Sequence, residues 1–300
     1  MSLCMDEFAI DRPPRDAAMR VASHDGAASR PVHHEQTLER TLIRRVSGRL
    51  ASHVPLDVRR LDNPAPMVSF TFDDVPDSAY SRGAPMLERQ GGRGVYYVST
   101  ALIGRRTVNW TLIDRGEIAD LHERGHEIAL HTHEHRAVGS YSVRELRADL
   151  DKNRAELRRI HPGIDPQNFA YPYGMAAFAR KLQLSSLVRS SRGVKPGINA
   201  GAFDAQFIKC VELADAQLTP ERLCFYLDAV VAQKGWLVFL THDISAAPSR
   251  YGCSIGLFQR AVDEVAARGV KVATVADALR QSRPAGPAER LAALRPQFAK

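Results

Sequence analysis

The chain has 300 residues, 44% of them hydrophobic and 25% charged, with a formal net charge of +7. That is ordinary globular composition, enough for one large domain with extensions. The four cysteines (Cys4, Cys210, Cys224, Cys253) form no C-x-x-C pair, which argues against a thiolate zinc site or a disulfide framework and suits a reducing compartment. The arginine excess is spread along the chain rather than gathered in one run, so the charge does not by itself call for nucleic acid.

Residues 1 to about 34 carry Pro13, Pro14 and Pro31 among many charges and are expected to be disordered. Acidic residues stand where a signal peptide would be basic, and no apolar run is long enough to span a bilayer. The expectation is a cytoplasmic protein. From Glu35 to His53, Leu38, Leu42, Val46 and Leu50 recur every four residues among arginines, predicting an amphipathic basic helix that packs on its own domain or lies on an anionic membrane. Residues 1–62 are thus read as an N-terminal extension, 63–280 as the main domain and 281–300 as a tail with a short helix Pro287 to Leu294.

The main domain alternates strand and helix. Strands are predicted at Val68–Phe72, Gly94–Val98, Glu127–Leu130, Asn168–Tyr171, Ser186–Arg189, Phe207–Val211, Trp236–Leu240 and Val270–Ala273. Helices are predicted at Ala79–Gln90, Thr111–Arg124, Ile255–Arg268 and Val275–Arg280. A capping box at Ser142 and Glu145 opens another to Ile160, and Thr219-Pro220 starts one to Lys234. Seven or so strands separated by helices imply a parallel α/β sheet, open or closed into a barrel, with chemistry at the strands' carboxyl ends.

One such end is Val68 to Asp77, where β-prone residues run into Asp73-Asp74 and a proline. Adjacent ionised carboxylates repel, so a cation or a shared proton is expected between them. His131 and His135, after the Glu127 strand, are four apart and read as one face of a helical turn able to share a metal. His133 is expected to point away, and His122 and His126 to be structural.

These residues resemble the polysaccharide deacetylases with a NodB homology domain, carbohydrate esterase family four, over residues 65 to 280. T-F-D-D stands as Thr71 to Asp74, H-T-x-x-H as His131 to His135, and Leu240-Thr241-His242 follows an apolar strand. The resemblance implies a distorted (β/α) barrel, usually of seven strands. It also implies Asp73 as catalytic base, His242 as general acid, Asp74, His131 and His135 as ligands of a divalent metal, and Thr132 steadying the histidine loop by hydrogen bonding. The metal would be zinc, with cobalt or nickel as substitutes. In the third motif Pro172 and Tyr173 match, with the Tyr173 N–H an oxyanion donor, but Ala170 stands where the family has an arginine that orients the aspartate. Arg189, Arg192 and Lys195 are the candidate replacements from another strand, with Arg192 and Arg189 the pair to test.

The activity so implied is removal of N-acetyl groups from an amino-sugar oligo- or polysaccharide. O-acetyl ester or small-amide hydrolysis, and non-catalytic metal or glycan binding, are the alternatives; magnesium-dependent phosphoryl transfer is disfavoured by the histidine pair. The expected partner is an N-acetylated glycan or a lipid-linked sugar precursor at the inner membrane face, with no nucleic acid. Trp110, Tyr97 and Tyr171 are candidate sugar-stacking surfaces.

Overall fold

The computed structural model describes residues 44–294. Residues 44–53 form helix α1; the remainder of the helix expected from Glu35, and the disorder expected for residues 1–34, lie outside the described residues. Then follow β1 (Val58–Leu61), β2 (Met67–Asp73), a π turn at Ala79–Gly83 leading into α2 (Ala84–Arg89), β3 (Val95–Val98), α3 (Arg115–Glu123), β4 (Glu127–Leu130) and α4 (Val143–Ile160). The second half holds β5 (Asn168–Ala170), α5 (Phe178–Leu184), β6 (Ser190–Arg192), β7 (Ala202–Asp204), β8 (Val211–Glu212), α6 (Pro220–Gln233) and β9 (Trp236–Thr241). It ends with β10 (Ile244–Ser245), β11 (Cys253–Ser254), α7 (Ile255–Ala267), β12 (Lys271–Val272), α8 (Val275–Arg280), β13 (Ser282–Pro284) and α9 (Pro287–Leu294).

As the sequence predicts, the sheet is parallel and of seven strands; it is curled, in the order β6-β5-β4-β3-β2-β9-β8, and β12 pairs with the start of β2 before β3 takes over that edge. The two outer strands are brought together by the segment before β8. Ile208 N donates to Ser191 O at 2.9 Å, and Gly193 N to Ile208 O at 3.0 Å. The sheet therefore curls into the distorted barrel implied above.

Strand alternation sorts β2 into two faces. Val68, Phe70 and Phe72 pack outward in the core shared with the helices, where Phe258 of α7 meets both phenylalanine rings. Met67 packs into the second core cluster, inside the curl, and Ser69, Thr71 and Asp73 share its side of the strand. Burying the apolar residues of both layers is the main source of stability.

Several boundaries differ from expectation. The strand expected at Ser186–Arg189 begins at Ser190, because residues 178–184 wind into α5 and Leu187 and Val188 N still bond back to Leu184 O. Its Ser-Ser-Arg sequence carries no β-branched signal, yet it is buried, with Ser190 Oγ donating to Asn168 and Ser191 Oγ to Gln206. The strand expected at Phe207–Val211 reduces to Val211–Glu212. The helix expected from Thr111 starts at Arg115, since Asp114 and Glu117 form a capping box there and Thr111 and Leu112 pair with Arg106 and Pro76 instead.

An antiparallel sheet, β13-β1-β7, joins strands from the stretches read as extension and tail to the main domain. Beside it, fully buried Lys181 donates to Ala51 O and Val54 O at 2.7 Å each and to Asp204 at 2.5 Å, fastening the end of α1 to the barrel. Among the described residues no helix is long and apolar enough to cross a membrane.

Candidate active site

Asp73 is the last inward-facing residue of β2, and beyond it the chain reverses sharply. Val75 N donates to Asp73 O at 2.6 Å, and Asp74 and Val75 both adopt φ of 58°. Left-handed backbone at non-glycine residues costs on the order of 1–3 kcal/mol each and persists where the surroundings enforce it. Thr132, His135 and Tyr173 share it, so the site loops hold five of the six such residues among those described.

His131 and His135 do not lie on a helical turn as expected; residues 131–135 form an irregular loop. The reason lies on α4. Asp149 accepts His133 N at 2.6 Å, Glu134 N at 3.1 Å and the Tyr141 hydroxyl at 2.9 Å, taking up N–H groups that a helix would turn on itself. Asn153 accepts His131 N at 3.3 Å and donates to Val98 O and Thr100. These bonds from α4 steady the loop. The rings of His131 and His135 still come within 5.0 Å, and His133 turns away to share a hydrogen bond with Thr100. His126, as expected, is structural, accepting Gly94 N and meeting Glu88.

His131 Nδ1 donates to Ala170 O at 2.9 Å, leaving Nε2 to face the carboxylates, 3.6 Å from Asp74 Oδ1 and 3.9 Å from Asp73. His135 Nε2 lies 3.0 Å from the same Asp74 oxygen. Ligand atoms of Asp74, His131 and His135 all lie within 4.8 Å of one another, and all three residues are buried. Burial lowers the His131 pKa to about 4, outweighing the nearby carboxylates, so its imidazole is neutral and fit to bind a metal. For Asp74, burial opposes ionisation, but the fields of His135, His131 and His242 prevail and hold its carboxyl well below the usual range.

Arg192 resolves the arginine missing at position 170. Ala170 and Arg192 are register partners on β5 and β6, so the small side chain leaves room for the long one from the next strand. Arg192, fully buried, donates to both oxygens of Asp73, one at 2.5 Å, with its guanidinium 5.2 Å from the Tyr97 ring. Arg189 is exposed, and Lys195 meets His53 instead.

His242 follows β9, its Nε2 4.0 Å from Asp74 Oδ2 and its ring stacked on Trp110 at 5.6 Å and tilted against Tyr251 at 5.5 Å. Asp243 does not serve it, because both of its oxygens are taken by Ser249. The Tyr173 ring lies 4.5 Å from that of His135, and its hydroxyl donates to His135 O at 3.2 Å. All six expected site residues (Asp73, Asp74, His131, His135, Tyr173 and His242) line one cavity of about 260 Å³, with Trp110 in its wall. Tyr97 and Tyr171, by contrast, are wholly buried and offer no sugar-stacking surface.

Asp149 and Asn153 are the residues that motif reading misses. Their signal was present: on α4 the buried positions Leu146, Asp149, Leu150, Asn153 and Leu157 form one stripe, and two polar residues inside an apolar stripe must bond to something buried.

Carboxylates and imidazoles gathered at the carboxyl end of a curled parallel sheet make a candidate active site whose Asp74, His131 and His135 could hold a cation. Comparison adds a family likeness: residues 60–186 match the family model of the polysaccharide deacetylases. Among solved structures, the chitin deacetylase of the fungal pathogen Colletotrichum lindemuthianum is 18% identical, covering 73% of this chain and 89% of its own, with a TM-score of 0.52. The Bacillus subtilis family 4 carbohydrate esterase PdaA is 12% identical, covering 79% and 89%, with a TM-score of 0.53. At such identities the likeness is one of fold. No curated protein matches the chain.

Proposed function

We propose that the protein is a divalent-metal-dependent deacetylase that removes N-acetyl groups from an amino-sugar glycan. The carrying observation is Asp74 Oδ1, which is buried, accepts no hydrogen bond and faces the Nε2 atoms of two histidines. A buried anionic oxygen without a donor fits a cation. One carboxylate and two imidazoles suit zinc, with cobalt or nickel as substitutes, and leave coordination positions open as a catalytic site requires.

When bound there, the ion supplies Lewis acidity, polarising the acetyl carbonyl and bringing the pKa of water towards neutrality. The chain's own residues do the rest. Asp73, held in orientation by Arg192, accepts the proton of the attacking water. The Tyr173 N–H, on the strained Pro172–Gly174 turn, serves the developing oxyanion. His242, gripped by Trp110 and Tyr251 in the pocket wall, delivers a proton to the departing sugar nitrogen. Acetate and a free amino sugar result.

Acetate release from N-acetylglucosamine oligomers tests this reading. The wild-type protein should release it, and Asp73→Asn and His242→Ala should each lower turnover at least about 100-fold, the lower range for loss of general acid–base catalysis. Turnover retained by both variants would overturn the assigned roles.

A further inference from the structure

The pocket changes charge from its inner wall to its mouth. Asp73 and Asp74, both buried, line the inside, and Glu212 is also among the lining residues. Glu212, partly buried at the end of β8 beside Leu240, has a carboxylate with no hydrogen bond or ion pair among the described residues. The mouth is basic. Arg250 lines the pocket yet is exposed, its guanidinium 4.7 Å from the Tyr251 ring and without a carboxylate partner among the described residues.

Two more cations stand nearby. Thr107, Asn109 and Trp110 of the pocket wall belong to a hairpin closed by Thr107 N to Trp110 O and by the Arg106–Thr111 bridge. At its base Arg105 and Arg106 are exposed and their side chains have no partner among the described residues. Unpaired guanidiniums at the mouth of a pocket attract anions, and the planar fork suits a carboxylate.

Resting on the deacetylase reading, we propose that the substrate is an acidic glycan. The neutral acetamido group enters the pocket, and a carboxylate on the adjoining sugar is held at the mouth by Arg250, with Arg105 and Arg106 adding to the field. Glu212 enforces this polarity by repelling the anion from the interior.

The test compares hyaluronan oligosaccharides, whose N-acetylglucosamine alternates with a uronic acid, with neutral N-acetylglucosamine oligomers of equal length. Acetate release and calorimetric binding are both measured on the full chain loaded with zinc. The hyaluronan series should show a KM lower by about fivefold to tenfold at low salt, an advantage that shrinks as ionic strength rises. Arg250→Gln should bring the two series within about twofold, and Arg250→Lys should keep part of the preference. Equal or better use of the neutral series, or a preference that survives Arg250→Gln, would overturn the proposal. Should neither series release acetate, binding decides: tighter, salt-sensitive, Arg250-dependent binding of hyaluronan upholds the basic mouth while the deacetylase reading fails, and equal or absent binding of both removes the proposal.

Discussion

Asp73 and Arg192 face each other inside the curl of the sheet, both buried, with Asp73 at the floor of the pocket. A buried ion pair adds little net stability over apolar packing, but removing one partner strands the other charge at a cost of about 3–5 kcal/mol. Arg192→Ala should therefore lower unfolding free energy by about that amount in denaturant titration and also reduce turnover, whereas Arg189→Ala should do neither. Equal stability in the two variants would show that the buried pair does not hold Asp73. Asp149 acts at one remove, through the backbone of the histidine loop. Asp149→Ala should weaken zinc affinity by about 10-fold to 100-fold, the range for residues that orient metal ligands, as read by competition with a chelating dye. Unaltered affinity would mean that the strained loop holds its shape without α4.

At the scale of elements, the sequence carries what local chemistry decides. The capping box at Ser142 and Glu145, the Thr219-Pro220 start of α6 and the apolar β9 all stand where sequence alone puts them, because each signal lies within a few residues. Ser142→Ala should cost about 1 kcal/mol through loss of the cap on α4, and more in metal affinity than an ordinary surface substitution, since α4 carries Asp149 and Asn153. Thermal melts and the same dye competition would check both. What was not legible depended on distant partners. β6 is a strand because Asn168 and Gln206 satisfy its serines, and β1 is one because β7 and β13 flank it. The two motifs and the terminal histidine were legible as a site. That Arg192, rather than Arg189 or Lys195, answers for Ala170 depends on the β5–β6 register, which no residue pattern specifies.

For the whole molecule, the site and the fold are coupled through protons. His131 titrates near 4 in the folded chain against an ordinary value of 6.5, so between those values the unfolded chain binds a proton that the native chain refuses. Stability then falls as pH drops from 6.5 towards 4. The depressed Asp74 carboxyl acts with the same sign at lower pH, its contribution being present above its ordinary pKa of 3.8 and lost as pH falls through its folded value. Metal-free protein should accordingly denature at lower urea concentration at pH 4.5 than at pH 6.5. A midpoint that stays level or rises would contradict this assignment.

The central claim is that Asp74, His131 and His135 hold the ion on which deacetylation depends. The most direct measurement is acetate release from N-acetylglucosamine oligomers by chelator-treated protein during titration with zinc, with Asp74→Ala alongside. Release that is absent without metal, rises to a plateau near one zinc per chain and fails in Asp74→Ala is the predicted result. Full release from metal-free protein, or an undiminished plateau in Asp74→Ala, would contradict it.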